Sequence, residues 1–275
     1  SIGVDGAIAI AEALRVNDTL EEVDLYFNSI GRPGAISFAD ALRINTSLKS
    51  LRLEYNDIDA KGTIAIADSL LYMNTSLLKL NLSRNLIGFK GIVAIAKLLR
   101  ENSTLQQLQI SHTSIGSLSR RSSSLKNNPI LPNSRNSHFC CHIHNNGDDN
   151  HTNAKGLFIL ANALRVNQSL KQLNLSSNDI GDTSEGCCCR NCSGLEALSD
   201  ALTRNQSLVQ LDLSNNYLGT NGAVLLANAL KVNSTLQELS LYNNHIDPPP
   251  VLHNDNTKSD ENHTNKDDDG FGADG

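Results

Sequence analysis

The hydrophobic positions along this chain follow one short pattern that keeps returning. Leu20-Glu-Glu-Val-Asp-Leu-Tyr-Phe-Asn28 has the spacing of Leu48-Lys-Ser-Leu-Arg-Leu-Glu-Tyr-Asn56 and of Leu77-Leu-Lys-Leu-Asn-Leu-Ser-Arg-Asn85. It returns in Leu170-Lys-Gln-Leu-Asn-Leu-Ser-Ser-Asn178, Leu208-Val-Gln-Leu-Asp-Leu-Ser-Asn-Asn216 and Leu236-Gln-Glu-Leu-Ser-Leu-Tyr-Asn-Asn244. Each reads LxxLxLxxN, numbered here as motif positions one to nine. Alternation at positions three to seven places the apolar side chains on one face of a short strand and the polar ones on the other. An Ile or Leu and then a glycine follow in every unit but the last, directly or, in the second, after Asp59-Ala-Lys61. A run with apolar residues at helical spacing comes next, as in Gly34-Ala-Ile-Ser-Phe-Ala-Asp-Ala-Leu42. A polar Asn-x-Ser/Thr closes the helix before the next leucine.

The leading leucines 20, 48, 77 and 105 are 28 or 29 residues apart, as are 208 and 236. A unit this small cannot cover its own apolar face, so neighbours must stack. The spacing predicts an α/β solenoid, a horseshoe with a parallel sheet on the concave side and helices on the convex side. The motif residues quoted above resemble the ribonuclease-inhibitor-like class of leucine-rich repeats, as in NOD-like receptors and Ran GTPase-activating proteins. The resemblance runs from about Ser1 to Asp247 apart from two interruptions. It implies the fold directly and function only by class.

Two intervals are too long. From Leu105 to Leu170 the spacing is 65, and from Leu170 to Leu208 it is 38. Both excesses enter directly after an Ile-Gly pair, Ile115-Gly116 and Ile180-Gly181. The reading is therefore leucine-rich repeats over 1–116, a low-complexity insertion over 117–153, and repeats over 154–250 with a short cysteine-rich insertion at about 184–193. An acidic tail over 251–275 completes it. The insertions and tail are expected to be disordered, because they are polar and aperiodic with nothing to fold around. The fourth motif copy, Leu105-Gln-Gln-Leu-Gln-Ile-Ser-His-Thr113, carries threonine where the others carry asparagine.

Composition changes this picture in three places. Trp is absent and aromatics make up 4% of the chain, so the core must be aliphatic. The net charge is −6, and residues 251–275 supply most of it with seven acidic and two basic side chains. The near-neutral body lacks the basic face that phosphate binding needs, and no nucleic acid ligand is expected. All six cysteines fall in the insertions: Cys140, Cys141, Cys187, Cys188, Cys189 and Cys192, with His138, His142, His144 and His151 beside the first two. Thiolates and imidazoles can form a tetrahedral zinc site. However, three consecutive cysteines do not fit one ion, and no C-x₂-C pair is matched by another. No metal and no cofactor is expected. Residues 265–275 line up with the first eleven positions of a calcium-binding loop but stop before its bidentate glutamate, so an acidic tail is the reading adopted. The recurring sequons at Asn17, Asn45, Asn74, Asn102, Asn167, Asn205 and Asn233 are assigned to turn chemistry at the helix-to-strand corner.

No nucleophile–base motif, phosphate loop or carboxylate pair marks an enzyme. The expected function is a non-enzymatic protein-binding scaffold, monomeric, cytoplasmic, without a membrane span, and a fragment of a longer signalling or regulatory chain. The alternative implied by the resemblance is a Ran GTPase-activating-protein-like regulator of a partner GTPase. Motif positions three, five and seven face the hollow, with eight at its edge. The candidate contact residues there are Asp24, Tyr26, Phe27, Arg52, Glu54, Tyr55, Arg84 and Tyr242, because binding hot spots favour tyrosine and arginine.

Overall fold

A computed structural model of the chain describes residues 1–115, 152–181 and 194–246. Its first half runs α1 (Gly3–Leu14), β1 (Glu22–Asp24), α2 (Gly31–Leu42), β2 (Ser50–Arg52), α3 (Ala60–Tyr72), β3 (Lys79–Asn81), α4 (Gly88–Glu101) and β4 (Gln107–Gln109). The second half continues with α5 (Thr152–Leu164), β5 (Gln172–Asn174), α6 (Gly194–Arg204), β6 (Gln210–Asp212), α7 (Gly219–Leu230) and β7 (Glu238–Ser240). The strands form one parallel sheet in sequence order, β1 to β7. Motif positions pair in register, as in Val23↔Leu51 and Leu51↔Leu80. Parallel strands lie about 4.8 Å apart, whereas packed helices need about 8–10 Å. A stack that satisfies both spacings must curve, with its sheet inside.

Each named strand is three residues long, but its ladder runs further. The position-eight amides of Phe27, Tyr55, Arg84 and His112 donate to the position-seven carbonyls of Glu54, Ser83, Ser111 and Ser176 in the next repeat, at 2.8–3.1 Å. The apolar positions are closed off, with Leu48, Leu51, Leu53, Ile58, Leu77, Leu82 and Ile87 all almost fully buried. Phe38 is the aromatic in this aliphatic core. Helices approach closely through small residues: a Cβ on Gly62 would lie 2.9 Å from the Ala35 Cβ of the neighbouring helix.

Two asparagine ladders tie the repeats together. At motif position nine, Asn56 Nδ2 donates to Leu25 O in the preceding repeat, and its Oδ1 accepts from the amide of Asn28. Asn85, Asn178, Asn216 and Asn244 repeat the arrangement. Thr113 substitutes in part: its hydroxyl donates to Ile110 O and its amide to Asn178 Oδ1. At the opposite rim, Asn45, Asn74, Asn167 and Asn205 are buried, each donating to the last helical turn of the previous repeat and accepting amides two and three residues on. These four sequon asparagines therefore serve the turn, as expected, with their amide nitrogens already engaged.

The way each helix begins differs from the simple Ile-Gly expectation. Gly3, Gly31, Gly88 and Gly219 take φ near +60°, which glycine adopts without strain. In the second repeat Asp59 stands there instead. It takes an extended conformation and caps α3 by accepting the Gly62 amide at 3.0 Å.

Both long intervals lie outside the described residues, as do the cysteines, the histidines beside them, Pro248 to Pro250 and the acidic tail. The repeats flanking the intervals nevertheless pair normally, with Leu108↔Leu173 across the first and Leu173↔Leu211 across the second. Among the described residues no helix is long and apolar enough to cross a membrane.

Candidate functional site

The sheet register decides which candidate side chains meet. Asp24 pairs with Arg52, and the Arg52 Nη1 to Asp24 Oδ2 distance is 2.6 Å. Arg52 also lies 3.6 Å from Glu54, which in turn accepts from Asn81. These charges are partly spent on one another, as cross-strand pairs on one sheet face are. The open face is narrower than the motif positions suggest: Ser50, Asn81, Ser83 and Ser214 are short side chains buried between longer neighbours.

The aromatic candidates do converge. Tyr26, Phe27 and Tyr55 are 51%, 61% and 43% exposed. Their ring centroids lie 6.1 Å (Tyr26–Phe27), 6.4 Å (Tyr26–Tyr55) and 4.8 Å (Phe27–Tyr55) apart, all in tilted arrangements. The Arg84 guanidinium sits 5.9 Å from the Tyr55 ring centre. Phe27, Tyr55, Arg84 and His112 form one row, because all occupy motif position eight. All four have φ between 53° and 58°, a left-handed conformation that non-glycine residues adopt at a cost. The ladder amides described above hold it, so the row is a fixed ridge along the rim of the hollow. Burial, and then the positive charge of Arg84, push the His112 pKa below its ordinary value, while Asp179 opposes this. Both effects favour the neutral imidazole beside the cation.

Tyr242, 77% exposed, does not belong to this group. It follows β7, six strand spacings from β1, or roughly 29 Å. A separate aromatic pair lies near that end, Tyr217 stacked on His245 at 5.2 Å. Between the two ends the hollow is lined by amides and acids, among them Gln107, Gln172, Gln210, Asn174 and Asp212.

One exposed residue was passed over in the sequence. Leu86 is 54% exposed, yet its amide donates to Ile58 O at 2.8 Å and its backbone bridges to Asp59. At the equivalent position Ser29, Asp57, Ser114, Asp179, Tyr217 and His245 take positive φ, and Leu86 does not. A hydrophobic residue in a column otherwise without aliphatic side chains was the available signal. Among the described residues no group of three or more His, Cys, Asp or Glu side chains could hold a metal ion.

Segments 16–39, 45–67, 74–96, 166–184 and 204–227 match the family profile described as Leucine Rich repeat. No curated protein matches. Among solved structures, the chain is similar to the leucine-rich repeat-containing protein LegL7 from Legionella pneumophila, with 17% identity and a TM-score of 0.52. That match covers 86% of this chain and 61% of the Legionella chain. It is similar also to Leiomodin-1 Actin-Binding Site 2, at 22% identity over 73% of this chain and 88% of that one, TM-score 0.46. A tropomodulin C-terminal domain from Caenorhabditis elegans aligns at 16% identity over 72% and 92%, TM-score 0.44. The likeness to the Legionella protein is one of fold, and the other two overlays are too loose to add to it.

Proposed function

Because this chain is a leucine-rich repeat solenoid, we propose that it is a non-enzymatic scaffold that binds a partner protein through the N-terminal end of its concave face. The contact residues are Asp24, Tyr26, Phe27, Arg52, Glu54, Tyr55 and Arg84. The observation that carries this reading is the exposed Tyr26–Phe27–Tyr55 cluster with Arg84 over Tyr55. Aromatic rings and an arginine on a backbone fixed by ladder hydrogen bonds bury area with little loss of side-chain freedom. The cluster also contains three of the eleven Phe and Tyr residues in the chain. The repeat length and the helix in every described repeat favour the ribonuclease-inhibitor-like subtype. The described repeats hold no cysteine, which suits a reducing compartment such as the cytoplasm, and the protein acts as a monomer. No described residue favours acceleration of GTP hydrolysis over simple binding.

Affinity capture with the immobilised chain tests the reading. Tyr26→Ala combined with Tyr55→Ala should weaken the retained partner by roughly 30-fold or more, the scale of a hot-spot loss, while Tyr242→Ala should leave it unchanged. Equal retention by the double variant and the wild type would move the site elsewhere.

A further inference from the structure

We propose that a second face docks an acidic segment of a partner protein: the rim where strands turn into helices, in the second to fifth motif copies, with Leu86 as the seat for an apolar anchor. The inference rests on the protein-binding reading above but uses other side chains, sharing only Arg84 with it.

Lys61, Lys90 and Lys155 lie in the first turns of α3, α4 and α5, and all three are exposed. Each immediately precedes a glycine, Gly62, Gly91 or Gly156, where a side chain would collide with Ala35, Thr63 or Ile115 respectively. The three lysines therefore occupy one register along the rim. Among the described residues none of them makes an ion pair or a side-chain hydrogen bond. A cation in the first turn opposes the helix macrodipole, and no acidic residue occupies the first turn of α2, α3, α4 or α5 to offset it. The fold draws nothing from these charges.

The acidic groups nearby are few. Asp59 is engaged by Arg32. Asp57 and Asp179 remain, against Lys61, Lys90, Lys155 and Arg84. The rim is thus positive where the adjoining hollow, with Glu22, Asp24 and Glu54, is not. Leu86 supplies what a purely electrostatic strip lacks. It is a half-exposed aliphatic side chain on backbone already fixed by its bond to Ile58 O and its bridge to Asp59, so it can be covered without first being ordered. A few cations around an aliphatic residue fit an acidic polypeptide with an apolar side chain. A nucleic acid backbone would demand a broader basic face.

The test uses the full chain and fluorescence anisotropy of a short labelled peptide of Asp and Glu around a central Leu-Leu pair. Comparators are the same peptide with serines for the leucines, oligothymidylate, and an unlabelled peptide of residues 251–275 as competitor. The Leu-Leu peptide should bind saturably and more weakly as salt rises. Lys61→Glu with Lys90→Glu should weaken it roughly tenfold or more, as rim charge reversals do, and Leu86→Ser should abolish its advantage over the serine peptide. Circular dichroism checks that both variants stay folded. Absence of binding, equal binding by folded variants, or equal affinity for oligothymidylate overturns the proposal. So does binding that appears only after residues 251–275 are deleted, which would make this chain's own acidic segment the occupant. Lys61, Lys90 and Leu86 lie outside the aromatic patch, so loss of this peptide with partner capture intact, or the reverse, tells which of the two readings failed.

Discussion

Removing Asn85 should show how much of the solenoid's stability passes through its asparagine ladder. The side chain is 3% exposed and ties its own repeat to the preceding one. Its Nδ2 donates to Leu53 O at 2.8 Å in the preceding repeat and to Leu82 O at 3.0 Å in its own. Its Oδ1 accepts from the amides of Asn56 at 3.1 Å and Ile58 at 3.0 Å. Both of those residues are completely buried. Asn85→Ala strands two buried donors and two buried acceptors where water cannot reach. At about 1–3 kcal/mol for each unsatisfied group, partly relieved by local relaxation, the expected loss is about 3–5 kcal/mol. That is a large part of the stability of an ordinary domain. Asn17 provides the control, because its Oδ1 accepts two amides in the same kind of turn, at 3.2 and 2.8 Å, but is exposed. Water can replace it there, and Asn17→Ala should cost less than about 1 kcal/mol. Urea unfolding followed by far-ultraviolet circular dichroism measures both. If Asn85→Ala lowers the midpoint no more than Asn17→Ala does, the ladder is ornamental and the argument fails.

The natural gap in the ladder should be repairable: Thr113→Asn restores a donor toward Leu82 O and should raise stability by about 1 kcal/mol in the same assay. A lowered urea midpoint would mean the neighbouring backbone has reshaped itself around threonine. Acidification should expose the cap of α3. Asp59 is held below the usual carboxylate range first by Arg32 and then by the Gly62 and Lys61 amides, against the opposing effect of burial. A depressed folded pKa stabilises above the unfolded value and loses that contribution as pH falls through the folded one. Melting of wild type and Asp59→Asn, which keeps the cap but not the charge, should therefore differ at neutral pH, where the carboxylate's charge beside Arg32 and the helix N-terminus is worth up to about 1 kcal/mol. The difference should shrink below about pH 4, near the ordinary carboxylate value. A constant difference across that range would exclude the carboxylate as its source.

Much of the architecture was legible because each unit's pattern is local. Positions four and six had to point inward in Leu51-Arg-Leu53 whatever the neighbours were, and the 28-residue spacing then required the next unit to sit alongside. With the two long intervals removed on paper, the copies on either side align, and Leu108 does pair with Leu173. The proposed binding surface was only half legible. Tyr26, Phe27, Tyr55 and Arg84 stood out by type, and motif positions seven and eight of consecutive repeats brought them together. Tyr242 has the same type and motif position as Tyr26 but lies at the other end of the sheet. A column read repeat by repeat does not show how far apart its members end up.

What the sequence determined alone is the repeat: its strand, its helix, its asparagines and its need to stack, because these follow from the alternation of apolar and polar residues within a few dozen positions. The tertiary structure decided which side chains remain available once stacking is complete. Asp24, Arg52 and Glu54 turn out to be occupied with one another, and Ser83 is covered by its neighbours. Leu86 stays exposed on backbone pinned by the preceding repeat, and Lys61 and Lys90 stay unpaired among the described residues. Availability depends on what the neighbouring repeat brings within about 5 Å, and that distance exists only after the units have closed on one another.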